Sequence, residues 1–191
     1  MHGAALLMRF EQTGNSADQD AAIDASRQAV AATPAGHPDR AAMLSALSVA
    51  LQARFERTGN RADLDAAIDA SRQAVAAAIP ANAREYQANL GLVLRMRFEQ
   101  TGDSADLDAA IETGQQAVAA TPAGHPHRAA MLSALGTGLR TRFERTGDPA
   151  DLDAAIDAGQ QAAGMEVASP RVRAIAARRW GNAAASGRRW Q

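Results

Sequence analysis

Cysteine and lysine are both absent from the 191 residues, and aromatic side chains make up only 4% of them. Without cysteine there is no disulfide, no thiolate metal site and no cysteine nucleophile. Scarce aromatic and β-branched residues argue against a β-rich fold, which draws on both. No apolar run approaches the roughly 18 residues of a membrane-spanning helix, and Met1 to Met8 is too short for a signal peptide. The expectation is a cytoplasmic protein with no membrane segment. All 20 basic residues are arginine, which with the abundant alanine and glycine hints at a GC-rich genome.

What the chain does have is alanine, which carries much of its 47% apolar share. Alanine is the best helix former and is small enough to let helices approach closely, so packed helices are predicted. The net charge of −1 hides an asymmetry: residues 1–166 hold all 21 acids against 14 arginines, whereas residues 167–191 hold six arginines and no acid.

The phrase Arg-Phe-Glu-(Gln/Arg)-Thr-Gly occurs four times, with its phenylalanine at Phe10, Phe55, Phe98 and Phe143, at spacings of 45, 43 and 45 residues. After each comes (Asn/Asp)-x-Ala-Asp-x-Asp-Ala-Ala-Ile, at 15–23, 60–68, 103–111 and 148–156. Self-similarity at such a period marks a solenoid of stacked supersecondary units. Each unit reads as two helices. In the clearest copy the first runs from about Pro126 to Thr146, with Met131, Leu132, Leu135, Leu139 and Phe143 on one face. Gly14, Gly59, Gly102 and Gly147 are placed to end these helices. Asn15, Asn60, Asp103 and Asp148 follow as N-caps, with Asp18, Asp63, Asp106 and Asp151 three residues on for reciprocal capping and the helix dipole. The second helix is predicted to run to about Thr33, Ala78, Thr121 and Ala163. The linkers Thr33–Arg40 and Thr121–Arg128 repeat one another, and the middle one, around Ile79 to Asn82, is two residues shorter. The domain reading is four hairpins at about 1–35, 36–80, 81–123 and 124–166, then a C-terminal capping helix over 167–191.

Candidate chemistry has a plainer explanation at each place. The Asp-x-Asp pairs could suggest a metal, but residues two apart on a helix do not share a face, and acids favour a first turn. His37, His125 and His127 lie in linkers, too few and too scattered for the three or four converging ligands of zinc. There is no Gly-x-Ser-x-Gly and no phosphate-binding glycine loop, so no catalytic residue, metal or cofactor is expected. The four phenylalanines share the register of the leucines and read as core, flanked by Arg and Glu that read as a solvated or inter-unit ion-pair row. The basic tail invites a nucleic-acid reading, but its arginines lie on a helix whose other side is apolar, and docking onto the last repeat explains it better.

The string Leu132-x-x-Leu135-Gly136-x-x-Leu139, followed by Leu152-x-x-Ala155-Ile156, resembles the tetratricopeptide repeat, whose small first-helix residue would be Gly3, Ser48, Gly91 and Gly136. The period exceeds the usual length of about 34 residues because the first helix and the linker are both longer. The wording is similar to long-period arrays in actinobacterial and fungal proteins that often accompany a CHAT-type caspase-like peptidase domain; no peptidase segment is present here. Both ends look cut from a longer array: the first helix of the first unit is short, and Trp180-Gly181-Asn182-Ala183 is similar to the opening of a further repeat.

The resemblance implies an all-α, right-handed superhelical solenoid of antiparallel helix pairs, with the first helices lining a concave groove. Mapped from the small residue, that face would hold Leu7 and Met8, then Ser45, Val49, Gln52 and Ala53, then Ala88, Leu92, Arg95 and Met96, then Ser133, Thr137, Arg140 and Thr141. These positions vary from unit to unit while the framework repeats, as a recognition surface requires. The expected role is a non-catalytic scaffold for a peptide or protein segment. The alternatives are the sensor arm of a caspase-like effector, and a homo-oligomer formed through exposed repeat ends.

Overall fold

The computed structural model describes residues 16–165. Every regular element among them is a helix: α1 (Ser16–Ala32), α2 (Arg40–Thr58), α3 (Arg61–Ala77), α4 (Ala83–Thr101), α5 (Ser104–Ala119), α6 (Arg128–Thr146) and α7 (Pro149–Gly164). The chain divides into two compact units between Arg97 and Phe98, within α4.

The phrase Thr-Gly-(Asn/Asp) makes the tight reversals. Gly59, Gly102 and Gly147 sit at φ of 68°, 72° and 74°, the left-handed region that crowds any Cβ. Their N–H groups donate to the carbonyls of Phe55, Phe98 and Phe143 at 2.7, 2.7 and 2.8 Å, closing the outgoing helix. The next residue swings to extended backbone, and its side chain accepts from the N–H of Ala62, Ala105 or Ala150 at 3.2, 3.0 and 3.0 Å. Its own N–H donates to the preceding threonine hydroxyl, at 3.2 Å in all three copies. With only a glycine and a cap between helices, the chain has to double back.

The longer linkers are also repeated chemistry. His37 and His125 N–H donate to the carbonyls of Pro34 and Pro122 at 3.0 Å, and Arg40 and Arg128 N–H then close onto the carbonyls of His37 and His125 at 3.0 Å. That tight turn holds Pro38 and Pro126, so the incoming helix starts at Arg128, two residues later than the proline pattern predicts. The Arg40 guanidinium reaches back to the carbonyls of Val30, at 2.9 Å, and Thr33. Arg128 does the same with Val118 and Thr121. A cation on the last free carbonyls of a helix satisfies them and suits the dipole.

Alanine and the small residues set how closely the hairpin helices meet. Ser48 donates to the Ala67 carbonyl at 2.9 Å and lies 2.7 Å from the Ser71 hydroxyl, all buried between α2 and α3. At the same place in the α6/α7 pair stands Gly136, where an added Cβ would lie 3.2 Å from the Ala155 carbonyl. The crossing therefore takes either a hydroxyl that bonds the facing backbone or no side chain at all. Around it, Ala41, Leu44, Ala74 and Tyr86 pack in the first unit. In the second, Phe98, Leu107, Ile111, Leu139 and Ala155 pack together, beside a cluster of Ala129, Leu132, Ala158 and Ala162. Phe55, Phe98 and Phe143 are all buried, as their register with the leucines predicts; Phe10 lies outside the described residues.

Gly136→Val is expected to destabilise the fold by about 1–3 kcal/mol, because the branched side chain meets backbone that cannot turn aside. Gly36→Ala, in open space, is the control and should stay within about 0.5 kcal/mol of the parent. Urea denaturation followed by circular dichroism measures both, and equal midpoints would remove the close-approach account.

Candidate functional site

Two sets of side chains on the first helices matter: one fastens the frame and the other is free to vary. The fastening set starts with the arginine that precedes each buried phenylalanine. Arg54 Nε and Nη2 donate to the two oxygens of Asp63 at 2.9 and 2.5 Å, and its Nη1 donates to Asp20 Oδ1 at 2.9 Å. Arg142 repeats this with Asp151 at 2.8 and 2.6 Å and with Asp108 at 2.9 Å. Arg97 Nη1 reaches Asp65 Oδ1 at 3.0 Å. Arg54 and Arg142 thus each join their own hairpin's second helix bidentately and touch the hairpin before.

Burial differs sharply between the two legs. The Asp63 and Asp151 side chains are 4% and 8% exposed, whereas Asp20 and Asp108 are 55% and 57% exposed. Hydrogen bonds, first to Asp63 and then to Asp20, push the Arg54 pKa still further above its ordinary value, and Asp151 and Asp108 do the same for Arg142. Both cations stay charged at any pH the protein meets. Of the two readings the sequence offers for the arginine row, solvated or inter-unit ion pairs, the exposed legs to Asp20 and Asp108 fit the second, and the Asp at the third helical position holds an arginine fork. The N-cap bond itself comes from Asn60, Asp103 and Asp148, as expected. The signal was available: arginine and first aspartate are identical in every copy, while the residue after Phe-Glu alternates between Gln and Arg.

The arginine three residues further on behaves less uniformly. Arg57 Nε donates to the buried Gln19 Oε1 at 2.9 Å. Arg145 instead lies 5.3 Å from the Phe98 ring centroid and donates to the Gly102 carbonyl at 3.3 Å.

The variable set is the predicted partner face. In the first unit, Val49 is 47% exposed and Leu92, one repeat on, is 38% exposed. Large apolar side chains that open at matching places on α2 and α4 are uncommon in this chain; among the described residues only Ile79, in the short middle linker, joins them. Ser45, Gln52, Arg95 and Met96 are half-buried. Asn89, which the sequence mapping passes over, donates to Ser45 Oγ at 3.1 Å and brings the two first helices together along this row. Its signal was an amide where the other copies carry Ala46 and Ala134. Gln52 donates to Glu56 at 2.9 Å.

In the second unit, Thr137, Arg140 and Thr141 are half-buried on α6, while Ser133 is buried. The hydroxyls of Thr137 and Thr141 donate to the carbonyls one turn back, of Ser133 and Thr137, at 2.9 and 3.0 Å. Arg140 pairs with Glu144 at 2.7 Å, both partly exposed. Such a pair on one helix is worth only about 0.3–0.5 kcal/mol, so a competing carboxylate could displace Glu144 cheaply. Leu7 and Met8 lie outside the described residues, as does the basic tail.

An open hollow of about 490 Å³ lies beside the second clamp, lined by Ala105, Asp108, Ala109, Ile111, Glu112, Gln115 and Arg142. Among the described residues no three His, Asp or Glu side chains converge as metal ligands, and no helix is long and apolar enough to cross a membrane. His125 and His127 have ring centroids 5.5 Å apart, with His125 Nδ1 accepting from the His127 N–H at 3.2 Å.

No protein-family description and no curated protein matches this chain. Solved structures do. A Podosopora anserina protein described as a kinesin light chain of nearly identical TPR-like repeats aligns at TM-score 0.69 and 20% identity, over 98% of this chain and 87% of that one. A point variant of that same protein gives TM-score 0.70 at 19% identity, over 98% and 86%. MamA gives TM-score 0.57 at 19% identity, over 95% and 94%. At this level of identity the likeness is one of fold, and the fold is an all-α, tetratricopeptide-like helical-repeat solenoid.

Arg54→Ala is expected to cost about 3 kcal/mol, since it strands the buried Asp63 carboxylate. Asp20→Ala, which removes only the exposed leg, should cost under about 1 kcal/mol, and 1 M salt should abolish most of that smaller loss. Arg54→Lys should recover less than half the loss, because an ammonium cannot form the fork. Thermal and urea melts measure the three variants; equal losses for Arg54→Ala and Asp20→Ala would reject the asymmetry.

Proposed function

We propose that the chain is a non-catalytic scaffold that binds a peptide or protein segment along the first-helix row. The carrying observation is that Val49 and Leu92, both large, apolar and exposed, occupy equivalent places on α2 and α4, each five residues before the recurring Arg-Phe-Glu phrase. A folding constraint that keeps Arg, Phe and Asp fixed in every copy does not act on these sites. Apolar side chains left open at regular intervals have a use only when something covers them.

The proposed contact set is Ser45, Val49, Gln52, Leu92, Arg95, Met96, Thr137, Arg140 and Thr141, extended by Leu7 and Met8. Covering Val49 and Leu92 would supply about 1.5–3 kcal/mol each before the costs of association. Arg140, weakly tied to Glu144, would orient a ligand carboxylate. In this reading the four hairpins run at about 1–35, 36–80, 81–123 and 124–166. The wording of the repeats also supports a setting as the sensor arm of a caspase-like effector; a catalytic His and Cys encoded beyond residue 191 would establish that setting.

Peptides selected from a random display library against the wild-type protein give the ligand for the test. Val49→Asp together with Leu92→Asp should weaken their binding at least about tenfold, the effect of roughly 1.4 kcal/mol, with thermal midpoint and helicity preserved. Arg95→Glu with Arg140→Glu should selectively weaken peptides that carry an acidic residue. Selected peptides that bind both double variants as well as the parent would place recognition elsewhere.

A further inference from the structure

Two of the three linkers between hairpins share one set of side chains, and the middle linker has none of it. Ten residues after the isoleucine of each second helix stands Thr33, Ala78 or Thr121. Fifteen residues before the phenylalanine of the following first helix stands Arg40, Ala83 or Arg128, and twelve before it stands Met43, Tyr86 or Met131. Threonine, arginine and methionine are thus present together or replaced together.

In the outer linkers the set works as one latch. The threonine hydroxyl donates to the carbonyl one turn earlier, of Ala29 at 2.7 Å and of Ala117 at 2.6 Å. The methionine sulfur rests on the same hydroxyl oxygen, at 3.1 Å for Met43 and 3.3 Å for Met131. The arginine closes the set on the last carbonyls of the outgoing helix, those of Val30 and Thr33 or of Val118 and Thr121. A side chain of the incoming helix thereby holds the end of the outgoing one.

At the middle linker the backbone turn persists without the latch. Ala78 N–H donates to the Val75 carbonyl at 3.3 Å, as Thr33 and Thr121 N–H do to Val30 and Val118 at 3.2 and 3.1 Å. Ala83, however, has no side-chain donor to send back, and Arg84 beside it spends its Nη1 on the Ala81 carbonyl of its own turn at 2.9 Å. Arg84 Nε and Asn82 Oδ1 are buried without a hydrogen-bond partner among the described residues, which costs stability. Ile79 is 60% exposed. Further along, α4 is better held: Tyr86 packs with Ala41, Leu44 and Ala74, Asn89 donates to Ser45 at 3.1 Å, and Arg97 donates to Asp65 at 3.0 Å.

We infer that the middle linker is a joint built into the array: the first turns of α4 lift from the end of α3 while Asn89 and Arg97 keep the rest of the helix seated. Each opening carries Tyr86 out of its cluster and uncovers Ala41, Leu44 and Ala74 near exposed Ile79. The joint acts whether or not a peptide occupies the first-helix row, so it stands or falls separately from that row.

Hydrogen exchange on the full-length chain, read by mass spectrometry, tests it. A stack of equivalent hairpins protects its middle best, because inner units are covered on both sides and outer ones on one. The joint reverses that order: amides 86–88 should exchange at least about tenfold faster than amides 43–45 and 131–133, with amides 93–97 still protected. Replacing Ala78–Ala83 by the eight residues of Thr33–Arg40 should slow exchange in that turn to the outer rate with helicity unchanged. It should also slow nitration of Tyr86, the only tyrosine, by tetranitromethane several-fold. Arg128→Ala should speed exchange at 131–133 toward the middle rate. Amides 86–88 that exchange as slowly as the outer turns would overturn the joint. So would an Arg128→Ala chain with 131–133 unchanged, or a folded replacement variant whose Tyr86 reacts as fast as before.

Discussion

A guanidinium has donors on two edges, and Arg54 and Arg142 use both. One edge grips a buried carboxylate on the returning helix; the other reaches a half-exposed carboxylate one hairpin back. The first contact fixes how the two helices of a hairpin lie against each other, since a planar fork meets a carboxylate in one plane. The second ties that hairpin to its predecessor. With two aspartates for each of these arginines, the array keeps surplus negative charge, consistent with the acidic balance of residues 1–166. The buried aspartate also lies in the first turn of its helix, where the backbone dipole favours an anion even before the arginine arrives.

Close helix crossings make the clamp possible. Arginine must span from one helix to the first turn of the next, and a bulky crossing would carry that turn out of reach. Ser48 with Ser71 and Gly136 with Gly159 solve this by different chemistry at the same place. The two-residue Gly-(Asn/Asp) reversal removes slack from the other side. Arg54 and Asp63 are only nine residues apart in sequence, yet the reversal between them lets their side chains meet.

That reversal also explains which parts of the structure were legible in the sequence. Helix ends, glycine turns, N-caps and the phenylalanine core each depend on chemistry within a turn or two of chain, and a period of 43–45 residues repeated them enough to be unambiguous. The arginine row's inter-unit ion pairing was open to reading, but its partners were not, because Asp63 and Asp151 sit where an acid serves a helix N-terminus and apolar spacing does not show that an arginine reaches them. The start of α6 shifted by two residues because His125-Pro126 belongs to a closed turn and not to the helix. On the variable row, the openness of Val49 and Leu92 follows from register. The Asn89–Ser45 contact, between residues 44 apart, required the helices to be placed side by side. Arg140, on the same row, is paired within its own helix to Glu144, a contact that the i, i+4 spacing already allows.

Frame and row therefore answer to different pressures. A change to the fork or to the glycine crossing disturbs buried, mutually dependent groups, where losses run to several kcal/mol and leave a marginally stable fold little reserve. A change at an exposed first-helix position stays within about half a kcal/mol, because solvent already surrounds the side chain. Repeats copied from one another can thus drift along that row while Arg, Phe, Gly and Asp stay in place, as Val49, Leu92 and Thr137 have done at one equivalent site. A protein that keeps stability in one set of residues can change what the other set recognises without refolding. The clamp is what permits that freedom, since it carries the joining of hairpins on residues outside the variable row.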